Sequence, residues 1–260
     1  TGATDKYKRY CMRLNVVLNS ENAIKLPINY QHMLQGFIYK ALTDEKMQQF
    51  LHNHGFSYEK RIFKLFAFSR LMGNSIYNRE KREILFSPPI SFCISSPWTE
   101  FLQNLLSGII GLDDLFLGHN NLAVGEVLIE ETPSFHEDAS YRISMLSPVT
   151  AYSTLYTAEG GKKTYYYSPM EKEFSQLIRG NLIKKGSAFL EQDWSELPFS
   201  IDSVNESKRV RQVTVNYKAT VIKGWMGNFV ISGHPLMLQM AYDAGIGSKN
   251  SQGFGLFDCI

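Results

Sequence analysis

Residues 234–260 read HPLMLQMAYDAGIGSKNSQGFGLFDCI and combine a helix, a glycine-rich loop and a strand. Proline directly after His234 predicts a helix that ends at Ala244, and Phe254–Ile260 predicts a last strand. Four glycines bracket the polar loop between them: Gly245, Gly247, Gly253 and Gly255. A P-loop has the reverse order, strand before helix, and a dinucleotide fingerprint would need a third glycine where Asn250 stands. The glycines are instead suited to a close approach of backbone to a ligand.

The rest of the second half alternates strands and helices. Tyr141–Leu155 is rich in β-forming residues, and Ser168–Glu171 is a capping box with proline at the first helical position, which predicts a helix that ends near Gly186. Val210–Val221 and Asn228–Ser232 predict a hairpin around the sequence GWMG. With the last helix and strand, the predicted order is strand, helix, strand, strand, helix, strand.

The first half repeats this order. Its predicted elements are strand Arg13–Leu18, helices Ile28–Leu42 and Asp44–His54, strand Ile62–Leu71, strands Glu83–Phe86 and Ile90–Ile94 broken at Pro88–Pro89, a helix from Ser96–Pro97 to Ile110, and strand Leu122–Ile129. Such βαββαβ units are ferredoxin-like, the fold of RNA-recognition modules. We predict an α+β protein with two tandem ferredoxin-like (RRM-like) domains, residues 12–132 and 133–260. The segment EETPS separates them, and residues 1–11 are expected to be a tag or a disordered extension.

Composition narrows the class of protein. The 260 residues are 44% hydrophobic and 20% charged, which is typical of a globular chain and excludes a disordered or collagen-like one. No apolar run is long enough to span a bilayer and no signal peptide is present, so we expect a cytoplasmic protein without a membrane partner. The three widely spaced cysteines, Cys11, Cys93 and Cys259, indicate reduced thiols rather than disulfides or a metal site.

Charge is unevenly distributed although the formal net charge is only +2. Residues 60–82 contain seven Lys or Arg and a single acid, and residues 208–223 contain five Lys or Arg and no acid. Aromatic residues lie within or beside both runs. Cations that hold phosphates and rings that stack on unpaired bases are typical of RNA binding, although solvated strand faces would show the same charge pattern.

The glycine pattern, with its internal basic residue and its place near the end of two ferredoxin-like units, resembles the glycine-rich loop of the CRISPR repeat-processing endoribonucleases. Other segments that resemble this family within the repeat-associated protein superfamily are Met12–Leu14, Leu26–Tyr30 continuing into Leu34–Tyr39, and Ser168–Phe174. The resemblance implies cleavage of CRISPR precursor RNA within its repeats, without a metal or cofactor, to leave 2′,3′-cyclic phosphate and 5′-hydroxyl ends. The alternative is a relative that holds repeat RNA or joins an effector complex without cleaving. A homodimer is left open.

The resemblance also implies a catalytic trio, which falls on Tyr39, His52 and Lys64. His52 lies in the last turn of its predicted helix, where the helix dipole favours the protonated ring. Proton transfer by histidine and stabilisation of the phosphorane by a cation are the chemistry that this cleavage needs. Alternation along the following strand predicts one basic and aromatic face, formed by Lys64, Phe66, Phe68 and Arg70.

Other residues compete for these roles. Helical spacing places His32, Gly36 and Tyr39 on one face, turned away from the apolar stripe, and in some branches of the family the histidine lies seven residues before the tyrosine. His54 and Lys60 are further alternatives to His52 and Lys64. The predicted RNA-binding residues are Gly245, Gly247, Lys249, Asn250, Ser251, Gly253, Gly255, Lys208, Arg209 and Arg211.

Overall fold

The computed structural model describes residues 12–112, 114–156, 160–204 and 210–260. The predicted extension at residues 1–11, which includes Cys11, lies outside these ranges, as do Lys208 and Arg209. In the described part of the chain, no helix is long and apolar enough to cross a membrane. The helices are α1 Gln31–Ala41, α2 Glu45–Gln49, α3 Thr99–Gly111, α4 Lys172–Leu190 and α5 Pro235–Ala244.

The first nine strands precede Thr132. They are β1 Met12–Asn19, β2 Ile24–Pro27, β3 Phe56–Tyr58, β4 Arg61–Phe63, β5 Ala67–Phe68, β6 Met72–Asn78, β7 Glu83–Ser96, β8 Leu115–Leu117 and β9 Asn120–Glu131. The other eight follow it and are β10 Ser140–Met145, β11 Tyr152–Tyr156, β12 Lys162–Tyr166, β13 Phe199–Ser203, β14 Arg211–Tyr217, β15 Thr220–Met226, β16 Asn228–Gly233 and β17 Phe257–Cys259.

The N-terminal sheet has the ferredoxin-like arrangement at its centre. Strands β6, β7, β1 and β9 lie side by side and pair antiparallel, while β2, β5 and β8 extend the sheet. Alternate residues of β1, namely Leu14, Val16 and Leu18, are fully buried, as expected for a strand with one face on the core. Helices α1 and α3 cover that face, and Leu34 and Leu105 belong to the same core.

The C-terminal sheet repeats this order. Strands β13, β16, β10 and β17 lie side by side and pair antiparallel, with α4 and α5 as the two helices. Two separate hairpins, β11–β12 and β14–β15, are added to the unit. In both halves the second strand of the βαββαβ unit is an edge strand next to the third, and the first lies between the third and the fourth. The predicted fold class is therefore confirmed.

Several predicted elements are wrong in detail. The hairpin is β14–β15, and β16 pairs instead with β10 and β13; the chain turns at Lys218, whose φ is 53°, and not at the glycines of GWMG. Strand β7 runs through Pro88–Pro89 without a break. Helix α4 begins three residues after the predicted proline start and continues to Leu190.

The predicted strand Ile62–Leu71 is also wrong. It is interrupted after β4 by Leu65, whose φ of 52° is incompatible with a strand. The interruption turns Phe66 and Phe68 into the N-terminal core, where both are fully buried. Lys64 therefore does not share an exposed face with them.

Arg13 ties the two domains together. Its side chain starts on β1 but is 1% exposed, and its guanidinium lies 3.8 Å from the centre of the Tyr242 ring of α5. One Nη donates a hydrogen bond of 2.9 Å to the carbonyl of Phe257, and the other lies 3.7 Å from Asp258. Because a buried guanidinium is costly unless it is paired, these contacts hold the domains in one relative position.

Candidate nucleic-acid interface

The outward face of α1 contacts the C-terminal domain. His32, Gln35 and Tyr39 lie on this face at helical spacing, as predicted for His32 and Tyr39. The ring of His32 packs edge-on against Tyr217 of β14, with ring centres 6.5 Å apart. Gln35 accepts a hydrogen bond from the Tyr217 hydroxyl and donates one to the carbonyl of Ser251 in the glycine-rich loop. The face thus joins the first helix to the hairpin β14–β15 and to the loop.

The two candidate rings of α1 differ in what they can do. Nδ1 of His32 donates to the carbonyl of Asn29 at 2.9 Å, which leaves Nε2 as the acceptor of the neutral ring. Tyr39 packs against Phe66, and burial raises the pKa of its hydroxyl to about 12. At neutral pH Tyr39 is therefore a neutral hydrogen-bond donor and not a base.

His52 and Lys64 lie together at the end of the second helical segment. The chain after α2 continues as a π-helical turn, Phe50–His54, and His52 on this turn is exposed. The Lys64 ammonium donates to the main-chain carbonyl of His52 at 3.3 Å, and Nδ1 of the His52 ring lies 2.8 Å from Oδ1 of Asn53. Partial burial lowers the pKa of Lys64. The structure therefore brings a histidine and a cation into one neighbourhood.

The alternatives His54 and Lys60 lie close by in the chain and are both exposed. His54 ends the π-helical turn, and the following residue, Gly55, adopts a φ of 76°. A Cβ at Gly55 would be 2.6 Å from the carbonyl of Phe63 and 3.3 Å from the Lys64 side chain. The turn is therefore packed directly on the segment that carries Lys64. Tyr39 approaches the same segment through its contact with Phe66.

The glycine-rich loop is built around a buried lysine. Lys185 of α4 is 2% exposed, and its ammonium donates to the carbonyls of Gly245 and Gly247, at 2.7 and 3.1 Å, and to Oδ1 of Asn250, at 2.7 Å. Nδ2 of Asn250 donates to the carbonyls of Ile246 and Phe254. The side chain of Asn250, which the sequence predicts to bind RNA, is thus buried, and its hydrogen bonds are made within the loop and to Lys185.

The four loop glycines are required by packing of the loop on the protein. All have a positive φ, and a Cβ at Gly247 would lie 2.5 Å from the carbonyl of Thr150. A Cβ at Gly255 would lie 2.0 Å from the carbonyl of Ile246, and one at Gly253 would lie 2.9 Å from the ring of Phe68. Since all four glycines are buried, they shape the loop and leave Lys249 and Ser251 to face outward.

A cleft of about 500 Å³ lies between the two domains and contains the outward side of this loop. Among the described residues, the glycine-rich loop contributes Lys249 and Ser251 to the lining, and β11 contributes Tyr152. The N-terminal domain contributes Arg61 and Lys64, and α4 contributes Asn181 and Lys185. None of the described lining residues is a carboxylate. The cleft is therefore electropositive, which suits a phosphate backbone.

Arg211, the first residue of β14, provides a second cationic group at the start of hairpin β14–β15. It lies near Arg70, whose pKa is lowered by burial and by the charge of Arg211. The predicted pair Lys208 and Arg209 lies outside the described residues, immediately before this position. Two guanidinium groups that repel each other are favourably placed for a polyanion.

Lys185, Gln35 and Arg61 were missed by sequence reasoning. A signal for Lys185 was available, because it follows Phe174, Ile178 and Leu182 along the buried stripe of α4, where a lysine is unusual. Gln35 shares the helical face predicted for His32 and Tyr39. Arg61 belonged to a recognised basic run, but only the fold shows that it lines the cleft.

Comparison with models of known protein families identifies the family of this chain. The family model described as "CRISPR-associated protein Cas6, N-terminal" matches residues 25–128, and "CRISPR associated protein Cas6, C-terminal" matches residues 130–259. The chain belongs to the Cas6 family. The matches together span most of the chain and meet between the two domains.

Two curated relatives cover nearly the whole chain. CRISPR-associated endoribonuclease Cas6 1 of Methanocaldococcus jannaschii is 28% identical over 95% of this chain and 92% of its own length. CRISPR-associated endoribonuclease Cas6 of Pyrococcus furiosus is 28% identical over 95% of this chain and 88% of its own. A solved structure described as CRISPR associated protein Cas6 superposes with a TM-score of 0.77 at 25% identity, over 96% of this chain and 99% of that one. The predicted family and the predicted enzyme class, an endoribonuclease, are confirmed.

Proposed function

We propose that this Cas6 chain cleaves CRISPR precursor RNA once within each repeat, without a metal ion. The observation that carries the proposal is the electropositive cleft: Lys64 lies in its lining, and the Lys64 ammonium contacts the main-chain carbonyl of His52 on the π-helical turn packed beside it. The names of its curated relatives support CRISPR-associated RNA as the substrate.

The step is an in-line transfer within the RNA. A 2′-hydroxyl loses its proton to a base and its oxygen bonds to the adjacent phosphorus, while the bond from phosphorus to the 5′ oxygen breaks and that oxygen takes up a proton from an acid. The products are a 2′,3′-cyclic phosphate and a 5′-hydroxyl. No water or metal-bound hydroxide enters this step, so proton-transfer groups and cations are sufficient.

Each candidate has a role that its surroundings support. His52 exchanges the proton, because the contact of Nδ1 with Asn53 orients the ring and leaves Nε2 to act. Lys64 stabilises the extra negative charge of the phosphorane, since no carboxylate among the described lining residues competes for its ammonium. Tyr39, neutral below a pKa of about 12, donates a hydrogen bond that positions the phosphate. His32, His54 and Lys60 are the alternatives that mutation must separate.

The loop and its surroundings hold the RNA. Lys249 and Ser251 face the cleft and can donate to phosphate oxygens, while Lys185 and Asn250 hold the loop in place from beneath. Arg211 extends the binding surface along hairpin β14–β15. The glycines contribute the shape of the loop.

The test uses the repeat RNA of the CRISPR array that accompanies the gene. The protein is incubated in EDTA with this RNA and with a copy that carries a 2′-deoxy nucleotide at the cut site. We expect the first to be cut once, with a cyclic phosphate end, and the second to remain intact. Binding without cleavage of either would favour the non-cleaving alternative, and cleavage of the deoxy copy would exclude the 2′-hydroxyl mechanism.

A further inference from the structure

Hairpin β11–β12 carries a row of tyrosines that the cleavage chemistry does not use. Its strands pair with Tyr152 opposite Tyr166, Thr154 opposite Thr164, and Tyr156 opposite Lys162. Because alternate residues of a strand point to the same side, all six side chains share one side of the hairpin. We call this side the tyrosine face; its residues are Tyr152, Thr154, Tyr156, Lys162, Thr164 and Tyr166.

One end of the tyrosine face is fixed and the other is exposed. The Tyr166 hydroxyl donates to the carbonyl of Val221, and its ring packs on a small core with Phe254. Tyr152 lies against Tyr166, with ring centres 5.6 Å apart, and lines the cleft. Tyr156, by contrast, is 72% exposed. The face thus leads from the cleft wall out to a ring that has little packing role.

Cations lie over these rings. The ammonium of Lys162 is 5.9 Å from the centre of the Tyr156 ring, and that of Lys249 is 5.2 Å from the centre of Tyr152. The described residues of the hairpin include Lys162 and Lys163 and no carboxylate. Rings that alternate with cations on an extended surface are the chemistry of a platform for single-stranded nucleic acid.

The opposite side of the hairpin is explained by packing. There the Tyr165 hydroxyl donates to Glu171 at 2.8 Å, and its ring lies 4.8 Å from that of Tyr167. Ser153 and Tyr167 share a further hydrogen bond. These contacts attach the hairpin to the start of α4, so the hairpin is held from that side and its tyrosine face is left open toward the cleft.

We propose that the tyrosine face stacks unpaired bases of an RNA strand whose backbone is held by the cations of the cleft. The inference rests on the proposed function for the presence of RNA, and adds a binding site distinct from the groups that cleave it. The ligand is single-stranded, because only unpaired bases present their faces to side chains. Continuity with the electropositive cleft and the cations beside the rings favour RNA over a protein partner.

The test compares two short RNAs that differ only in their bases. Fluorescently labelled rA10 carries bases that stack well, whereas an abasic ribose-phosphate decamer retains the charges alone. Wild type should bind rA10 more tightly than the abasic decamer. Tyr156→Leu should weaken binding of rA10 by about 5-fold or more, the lower limit for loss of one stacked base, and leave binding of the abasic decamer within about 2-fold.

Two variants serve as controls. Tyr156→Phe retains the ring and should bind rA10 like wild type, while Tyr165→Leu removes a ring from the opposite side and should keep the wild-type preference for rA10. An unchanged ratio of the two affinities in Tyr156→Leu would overturn the proposal, as would an equal loss in Tyr165→Leu.

Cleavage of repeat RNA at saturating enzyme is measured on the same variants. Tyr165→Leu should cleave at the wild-type rate, since its ring lies on the opposite side of the hairpin, against Glu171 and Tyr167. If wild type fails to cleave while its preference for rA10 depends on Tyr156, the proposed function fails and the stacking site stands. If cleavage is normal and the preference does not depend on Tyr156, only the stacking site fails.

Discussion

The two domains share one strand order but contribute different parts to the cleft between them. The N-terminal domain contributes Lys64 to the cleft lining, and it carries further titratable side chains outside that lining: His32 and Tyr39 on α1, and His52 on the π-helical turn. The C-terminal domain brings a braced loop and two hairpins with cations and rings. In the proposed function, the two copies of one fold therefore divide the work: the groups proposed for cleavage lie on the first copy, and most of those proposed for RNA binding lie on the second.

The largest effect is expected from removing the imidazole of His52, the group proposed to exchange the proton. His52→Ala should lower the single-turnover cleavage rate at saturating enzyme by roughly 100- to 10,000-fold, the usual effect of losing one positioned acid or base. Affinity for repeat RNA should stay within a few fold, because one exposed ring contributes little to holding a long RNA. Rapid-quench kinetics and filter binding on the same preparation measure the two effects.

Matched variants locate the essential group. His32→Ala and His54→Ala remove the competing imidazoles, and Tyr39→Phe removes only the hydroxyl and should give an intermediate loss. If His52→Ala cleaves normally and one of the other two histidine variants does not, the role moves to that histidine and the division between domains stands. If the triple histidine variant still cleaves normally, histidine catalysis is wrong, and Lys64 or Lys60 with Tyr39 becomes the candidate.

The salt dependence of RNA affinity tests the proposed binding surface. If about four to six phosphates are neutralised, the slope of log K against log salt should lie near −3 to −5, so that affinity falls about 60- to 1,000-fold between 50 and 200 mM salt. We expect this range because the basic side chains of the cleft, together with Arg211, are available to neutralise phosphates. A slope flatter than about −1 would show that the basic runs are merely solvated faces.

The sequence predicted the repeated order of strands and helices, but it did not predict where the strands are interrupted. Hydrophobic periodicity and helix caps predicted α1, α3 and α5, since these signals are local. Leu65 shows the limit of such signals: it interrupts the predicted strand and joins the C-terminal core, while its neighbours Phe66 and Phe68 join the N-terminal core. That interruption is decided by packing between domains, which no local pattern encodes.

The candidate site shows the same limit. The family resemblance directed attention to His52 and Lys64, which do lie in one neighbourhood, but the glycine loop was interpreted as backbone exposed to a ligand. The buried glycines and the internal hydrogen bonds of Asn250 give another reason for that sequence. The loop is conformationally constrained from beneath by Lys185, 60 residues away from Gly245 in the chain, and such long-range pairing could not be predicted from spacing.

Lys249→Ala tests the binding role of the loop at a single side chain. We expect repeat-RNA affinity to fall about tenfold, because a hydrogen bond to a charged group contributes about 1.5 kcal/mol or more, while the cleavage rate of fully bound RNA stays nearly constant. Filter binding against Lys25→Ala, a lysine on the distant strand β2, provides the control. Equal affinity in wild type and Lys249→Ala would remove the loop from the binding surface.

Gly247→Val probes the shape of the same loop. A valine side chain at this position would collide with the carbonyl of Thr150, and the positive φ of residue 247 is strained for valine. The loop should therefore lose its shape, and the affinity for RNA should fall with it. Thermal melting must first show that the variant is folded. A folded variant with wild-type affinity would contradict the role assigned to the loop.

The smallest expected effect concerns the lysine beneath the loop. Burial lowers the pKa of Lys185 to about 7, from an ordinary value of 10.5. Between these two values the unfolded chain binds more protons than the folded protein, so the free energy of unfolding should rise as pH increases. We expect the melting temperature of wild type to rise from pH 7 to pH 9 relative to that of Lys185→Met, which lacks the titrating group. Lys184→Met, on the adjacent and more exposed position, should retain the wild-type trend, because its loss leaves the buried ammonium in place. Parallel melting curves for wild type and Lys185→Met across this range would mean that the three oxygen acceptors keep the ammonium charged, and that the loop rests on a permanent cation.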